Sequence, residues 1–161
     1  MRCFLSYCIV VLVVSVVSCH NRGVVLSQDQ RKIITDSVQQ MMAHVAQDIS
    51  TKGPIRWLQY FQKSPAFYMA SEGKIVFPNI DSAEVFIMER LVKQIKTISL
   101  KWNNVRIDPL TTGFAGIAAD WEESITDVHD DNFSQHGFFS AVAQKTSNGW
   151  EFRNAHWSTL K

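Results

Sequence analysis

The segment GWEFRNAHWS, residues 149–158, carries the side chain best suited to proton transfer in this chain, that of His156. If the segment is a regular strand, alternate side chains share a face, and His156 lies beside Phe152 and Ser158. An imidazole among aromatic rings can orient a ligand carbonyl or move a proton. The alternative is a structural histidine that bonds only to the backbone. His156 is therefore a candidate catalytic and ligand-binding residue.

Asp120 is the second candidate for acid–base chemistry. In the segment GFAGIAADWEESITD, Asp120, Glu122 and Ser124 share one face of a strand, and Trp121 lies on the other. If the polar face points inward, Asp120 is a candidate general base. If it points outward, it is a solvated face or part of a dimer surface, as is usual for polar faces of antiparallel sheets. A one-residue bulge would exchange the two interpretations.

A second histidine, His136, alternates with Phe138 and Ser140, so we expect it to approach His156 across neighbouring strands. Two histidines without a third ligand at a recognisable spacing do not predict a metal site. Residues 20–161 contain no cysteine and no P-loop, G-x-S-x-G or H-E-x-x-H pattern. The sequence therefore predicts neither a metal nor a cofactor, and a cysteine nucleophile is excluded from this region.

Four strands are expected to position these side chains, because the hydrophobic period changes from helical to twofold at residue 100. Short turn-like links between the strands, at residues 109–112, 130–132 and 147–149, predict antiparallel neighbours. Before them the pattern predicts helices over 28–50, 54–62 and 80–99, with a hairpin around 71–74. In the third helix, the expected buried stripe comprises Val85, Phe86, Met88, Leu91, Val92, Ile95 and Ile98. Helices followed by a meander predict an α+β fold, with the helices on one face of an antiparallel sheet.

The first 19 residues are typical of a signal peptide: one basic residue, Arg2, then an apolar run and small residues. Val16–Cys19 resembles a lipobox, in which Cys19 becomes lipid-modified; the alternative is ordinary cleavage after Ser18. We expect an exported, membrane-anchored lipoprotein on the periplasmic side or the cell surface, or alternatively a soluble periplasmic or secreted protein. Residues 20–27 are then a tether and residues 28–161 a single domain.

The charge of the expected mature chain is balanced. Without Arg2, the 16 Lys and Arg residues become 15, against 15 Asp and Glu, and no block of like charge occurs. General nucleic-acid binders need a basic stripe. The composition therefore argues against a nucleic-acid partner.

The order of elements resembles the NTF2-like (cystatin-like) α+β cone, particularly its SnoaL-like and DUF4440-type branch. Three motifs carry the resemblance, which covers about residues 28–160: Glu72-Gly73-Lys74, His136-Gly137-Phe138-Phe139-Ser140, and the ending Gly149-Trp150-Glu151-Phe152 with Ala155-His156-Trp157-Ser158. It implies a strongly curved sheet wrapped around the long helix, an apolar cavity at the wide end, and a homodimer formed through the sheets. The candidate ligand-binding residues of that cavity are Trp57, Tyr60, Phe67, Tyr68, His136 and His156.

Three functions are compatible with this resemblance, because fold alone does not fix function. The first is binding of a small apolar or amphipathic ligand in the cavity. The second is a cofactor-free isomerase, cyclase or lyase that uses His156 or Asp120; no set of one Tyr and two Asp matches the ketosteroid isomerase pattern. The third is a non-catalytic homodimeric interaction subunit, whose cavity would be filled by its own side chains.

Overall fold

A long helix opens the part of the chain that the computed structural model describes, residues 25–160. It is followed by a short 3-10 helix, a hairpin, a second helix and a four-stranded meander. The elements are α1 (Gln28–Lys52), the 3-10 helix (Pro54–Gln59), β1 (Tyr68–Ser71), β2 (Lys74–Phe77), α2 (Ile80–Phe86, continuing through a π-helical turn at Ile87–Leu91 into Val92–Gln94), β3 (Ile95–Thr111), β4 (Phe114–Asp127), β5 (Asn132–Thr146) and β6 (Gly149–Thr159). The predicted α+β fold is confirmed. The predicted signal peptide and Cys19 lie outside the described residues.

Helix α1 begins and ends where local chemistry dictates. The Ser27 hydroxyl accepts a hydrogen bond from the Gln30 backbone at 3.2 Å, and the Gln30 side chain accepts one from the Ser27 backbone at 2.9 Å. This capping box satisfies two N–H groups that have no partner inside the helix. Gly53, with φ 83°, ends the helix before Pro54. One face packs into the core through Ile34, Val38, Met41, Met42, Val45 and Ile49.

The six strands form one sheet in the order β2-β1-β6-β5-β4-β3. The meander from β3 to β6 is antiparallel as predicted, but β1 pairs with β6 in parallel, so the sheet is mixed. Strand β3 also runs through Pro109, where the sequence predicted a connection. A proline fits there because β3 is an edge strand.

Helix α2 differs most from its prediction. It ends at Gln94, and residues 95–99 belong to β3. Most of the expected buried stripe is not covered, and only Ala83 and Ile87 of the helix are buried. The side chains that remain exposed are Val85, Phe86, Met88 and Val92. The helix therefore buries only a narrow strip of its surface.

Within residues 25–160, no helix combines the length and the hydrophobicity that crossing a bilayer requires.

Candidate functional site

A cavity of about 560 Å³ lies between the concave face of the sheet, helix α2 and the β1–β2 hairpin. This volume is in the range of about 300–1,000 Å³ that is usual for small-molecule sites. Six rings line it: Trp57, Phe61, Phe77, Phe86, Phe139 and Trp157. The polar lining side chains are Ser71, Glu123, Gln135 and Thr159.

Strand alternation decides which side chains reach the cavity. Along β4, Trp121, Glu123 and Ile125 are buried, whereas Glu122 and Ser124 between them are exposed. Strand β4 pairs with β5 without irregularity, and Glu123 lies opposite Gln135. The inward face of β4 therefore places a carboxyl group among apolar side chains.

Glu123 is the ionisable side chain in the lining of this cavity. It is only 7% exposed, and Gln135 Nε2 donates a hydrogen bond to its Oε2 at 2.9 Å. Burial raises the pKa of Glu123, and the hydrogen bond from Gln135 opposes this only in part. Raised carboxyl pKa values are common at functional sites.

The sequence analysis missed Glu123, although a signal was present. Glu123 has the same parity as Trp121 and Ile125, so it is an acidic residue in the middle of the apolar face of β4; Asp127 has the same parity but ends the strand. A carboxyl group on the apolar face of a strand must be buried or must distort the strand. The spacing therefore singles out Glu123 once the apolar face is taken as the inner one.

The aromatic wall beside Glu123 is built from tightly packed rings. The centroid of Trp157 lies 4.5 Å from that of Trp121, 5.3 Å from Phe139 and 5.8 Å from Trp57. Trp121 Nε1 donates to the backbone oxygen of Ser158 at 3.1 Å, which fixes the indole against β6. Rings held in this way present a preformed surface to a ligand.

His156 lies on the outer face of the sheet, away from the cavity. A bulge in β6 separates His156 from Phe152. Phe152 pairs with Ala143 of β5 and Asn154 pairs with Val142, so Arg153 between them has no opposite residue on β5. The extra residue reverses the alternation, so that Phe152 and Trp157 point inward while His156 points outward opposite Ser140. The expectation that His156 shares a face with Phe152 is therefore wrong, and its catalytic role stays a prediction.

Asp120 and His136 also lie on the outer face. Asn104 Nδ2 donates to Asp120 Oδ2 at 2.7 Å, and His136 is exposed opposite Glu122. His136 and His156 are not neighbours, because the β5 partner of His156 is Ser140, four residues beyond His136. At roughly 3.3 Å per residue, this separates the two histidines by about 13 Å along the sheet.

Of the four aromatic residues predicted to bind a ligand in the cavity, the structure brings Trp57 to it. Phe67 is completely buried against Phe61, with ring centroids 4.9 Å apart, and Tyr68 is exposed on the outer face. Tyr60 lies in a separate polar groove beside the 3-10 helix. The role of these residues in ligand binding stays a prediction.

Tyr60 belongs to a polar cluster centred on Asp48. The Asp48 carboxyl accepts hydrogen bonds from Lys52 at 2.7 Å, Tyr60 at 2.9 Å and Gln59 at 2.5 Å. The bonds from Lys52 and Tyr60 hold the pKa of Asp48 well below its usual range. Burial and the bond to Asp48 raise the pKa of Tyr60 to about 12. The cluster ties α1 to the 3-10 helix and lies outside the cavity.

Over residues 25–160, no three side chains of His, Cys, Asp or Glu are grouped closely enough to hold a metal ion.

Comparisons with solved structures identify the fold. No family model matches the chain, and no curated protein does. A nuclear transport factor 2 (NTF2-like) superfamily protein from Salmonella enterica serovar Typhimurium is 19% identical and superposes with a TM-score of 0.64, covering 83% of this chain and 92% of that one. An NTF-2 like protein of unknown function from Shewanella oneidensis is 14% identical, with a TM-score of 0.60 and coverage of 78% and 98%.

A hexachlorocyclohexane dehydrochlorinase, LinA-type3 from Novosphingobium barchaimii, is 9% identical and has a TM-score of 0.66, with coverage of 84% and 92%. Identities this low show a shared fold and leave the activity of this chain open. In these three structures the matched part is 78–84% of this chain. Residues 25–160 therefore adopt the NTF2-like fold that the sequence resemblance predicted.

Proposed function

We propose that this protein binds a small apolar or amphipathic molecule in the cavity between α2 and the concave face of the sheet. The carrying observation is the open volume of about 560 Å³, which six rings line and which has four polar side chains in its wall. Apolar concavities with few polar groups are typical ligand sites. An interaction subunit, whose cavity would be filled by its own side chains, has less support.

Two neighbouring residues of β1 offer a matched test. Ser71 lines the cavity, whereas Ala70 has the opposite orientation, on the face that carries His156. We expect Ser71→Phe to place a ring in the cavity and to weaken binding of the uncharged dye Nile red by roughly tenfold or more, because the volume is lost. Ala70→Phe should leave the dye affinity unchanged.

Dye fluorescence on the purified protein measures both variants, and native mass spectrometry without detergent detects any copurifying molecule. An equal dye affinity of Ser71→Phe and Ala70→Phe would place the binding elsewhere. A wild-type protein that neither binds the dye nor carries extra mass would contradict the proposal.

A proton-transfer enzyme is the second candidate, favoured by the position of Glu123. In such an enzyme the Glu123 carboxylate would remove a substrate proton inside a mainly apolar cavity. Since one neighbour in fold is a hexachlorocyclohexane dehydrochlorinase, hexachlorocyclohexane is a rational first substrate. The carboxylate would take a C–H proton, a C=C bond would form and chloride would leave.

Chloride release measures this reaction. If the protein is such an enzyme, the wild type should release chloride, and the rate of release should fall by about 100-fold or more in Glu123→Gln, which is the contribution typical of a positioned base. Unchanged release in Glu123→Gln would assign any turnover to other groups, and His156→Ala and Asp120→Ala would then be compared.

We further propose, from the sequence alone, that the protein is exported and anchored by lipid on Cys19. The supporting features are the apolar run and the lipobox-like Val16–Cys19. In a bacterium that processes lipoproteins, the wild type should appear in the membrane fraction with the mass of added acyl chains. The Cys19→Ser variant should be soluble; equal solubility of both proteins would favour the soluble periplasmic or secreted alternative.

We also propose a homodimer formed through the outer face of the sheet. This face carries Phe138, which is 45% exposed, beside His136 and Ser158. Sedimentation of the wild type should give a dimer, and Phe138→Asp should give a monomer of unchanged helix content. A monomeric wild type at high concentration would contradict this proposal.

A further inference from the structure

We propose that the ligand of the cavity is an organic cation, an amine with an apolar body whose ammonium group pairs with Glu123. The inference rests on the proposed ligand-binding function and names the chemical class of the ligand. Three features of residues 25–160 carry it: an incompletely satisfied carboxyl group, a wall of rings, and a cavity lining without any cationic side chain among these residues.

The carboxyl group of Glu123 has fewer partners than it can accept. A carboxylate accepts about four hydrogen bonds. Glu123 receives one side-chain bond, from Gln135, and within residues 25–160 no Lys, Arg or His lies within ion-pair distance of it. A buried carboxylate without a counter-charge is costly, and a partner charge with good geometry offsets much of that cost. A ligand ammonium would supply the missing charge and up to three N–H donors.

The neighbouring polar groups suit an ammonium as well. Gln135 uses its Nε2 for Glu123, which leaves its Oε1 as an acceptor beside the same carboxyl group. The hydroxyls of Ser71 and Thr159 are further acceptors in the lining. The cavity therefore offers several acceptors, and the Gln135 amide oxygen belongs to a side chain that contacts the negative charge directly.

The aromatic wall favours a cation over an anion. The faces of Trp57, Trp157 and Phe139 carry negative electrostatic potential, which attracts a desolvated cation. Among the lining residues that the structure describes, none is Lys, Arg or His, so an anionic ligand would meet Glu123 without compensation. Fatty acids and other carboxylates are thus disfavoured, whereas the rings accommodate the apolar part of an amine.

Three ligands of the same shape and different charge test the inference: phenylbutylamine, phenylbutanol and phenylbutyrate. Calorimetry on the purified protein near neutral pH should show the amine binding roughly tenfold or more tightly than the alcohol, and phenylbutyrate weakest, since close charge pairs in desolvated sites contribute to affinity. In Glu123→Gln the amine-to-alcohol ratio should fall to about one. Glu122→Gln, the adjacent exposed carboxyl on the outer face, should keep the wild-type ratio.

A pH series on the wild type provides a test that needs no variant. Because burial raises the pKa of Glu123 above its ordinary value of 4.5, amine affinity should increase with pH above that value as Glu123 ionises, while the affinity of phenylbutanol should not increase. The other ionisable groups near this wall are Glu72, which accepts a hydrogen bond from the Thr159 backbone, and Asp127 and His129, which line an adjoining groove with Gln135. His129→Gln, which removes the imidazole of that groove, is the control and should retain the increase.

The outcomes separate this inference from the proposed function. The inference of a cationic ligand is overturned if the alcohol binds as tightly as the amine, or if Glu123→Gln retains the wild-type ratio of the two affinities. Either result leaves a cavity that binds a neutral ligand. Amine affinity that is flat or decreasing with pH does the same. Failure of all three ligands and of Nile red overturns both proposals.

Discussion

A methyl group at Gly137 would collide with the backbone of the adjacent strand. Gly137 on β5 lies opposite Thr159 on β6, and a Cβ atom there would be 1.9 Å from the backbone oxygen of Ser158 and 2.9 Å from its carbonyl carbon. Trp121 Nε1 donates to this same oxygen at 3.1 Å. The approach is possible only for glycine, and it lies between the cavity residues Gln135 and Phe139.

The cost of Gly137→Ala follows from these distances. The obstacle is backbone, so β6 must move by more than 1 Å to restore an ordinary contact of roughly 3.4 Å. Overpacking of this kind costs about 1–3 kcal/mol. Weakening the bond from Trp121 to Ser158 adds about 1 kcal/mol. We expect the free energy of unfolding to fall by about 3 kcal/mol, equivalent to a Tm lower by roughly 10 °C for a domain of this size.

Urea denaturation of two glycine variants measures this effect. In Gly116→Ala, on the neighbouring strand β4, the nearest atom to the new methyl group is the Asp108 backbone oxygen at 3.9 Å, an ordinary contact. Its free energy of unfolding should stay within about 0.5 kcal/mol of the wild type. Equal stability of Gly137→Ala and Gly116→Ala would refute the close approach of β5 and β6, and with it the position of Gln135 in the cavity wall.

Three further predictions concern ionisable groups. Because burial raises the pKa of Glu123 in the folded protein, the free energy of unfolding should fall as pH increases from about 4.5 through the folded pKa. The fall amounts to about 1.4 kcal/mol for each tenfold change in the acid constant. Urea denaturation of Glu123→Gln should not show it. The pKa of Asp48 is lowered in the folded protein, so the ionised carboxyl group stabilises the fold above the unfolded pKa of 3.8, and this stabilisation is lost as pH falls below that value. Asp48→Asn should therefore lose less stability than the wild type between about pH 6 and about pH 2. An identical loss in both proteins would contradict the hydrogen bonding of Asp48 in this cluster. Burial raises the pKa of Tyr60 to about 12, so Tyr60→Phe should remove an absorbance step near pH 12 and cost about 1 kcal/mol of stability; a step near pH 12 that persists in the variant would contradict the assignment.

The parts of the fold that could be predicted are those with local signals. The Ser27–Gln30 capping box and Lys52-Gly53-Pro54 delimit α1 in the sequence and in the structure. The four meander strands follow from the twofold period and the turns between them. By contrast, the pairing of β1 with β6 joins residues more than eighty positions apart, and no local pattern encodes it.

Helix α2 shows what an apolar stripe leaves undetermined. The spacing of Val85, Met88 and Val92 correctly indicates a helix, but it does not say what covers that face. In this protein these three side chains are 61%, 42% and 40% exposed, in that order, and the helix lines the cavity through other residues, Phe86, Ile87 and Leu91. The stripe also continues through Ile95 and Ile98, which belong to β3, since β-branched residues fit either spacing over so short a run.

The sequence predicts side-chain orientation correctly on β4 but not on β6, because β6 changes its pairing partner along its length. Strand β4 pairs with β5 without interruption, so parity alone puts Glu123 inside. On the side away from β5, strand β6 pairs first with the segment after the 3-10 helix, where the Phe152 backbone N–H donates to the Tyr60 backbone carbonyl oxygen at 2.7 Å. From Asn154 onward it pairs with β1. The bulge at Arg153 lies at this change of partner, and it turns His156 outward and Trp157 inward. A bulge set by two distant segments leaves no trace in the local sequence, so the twofold period that identifies Glu123 misplaces His156.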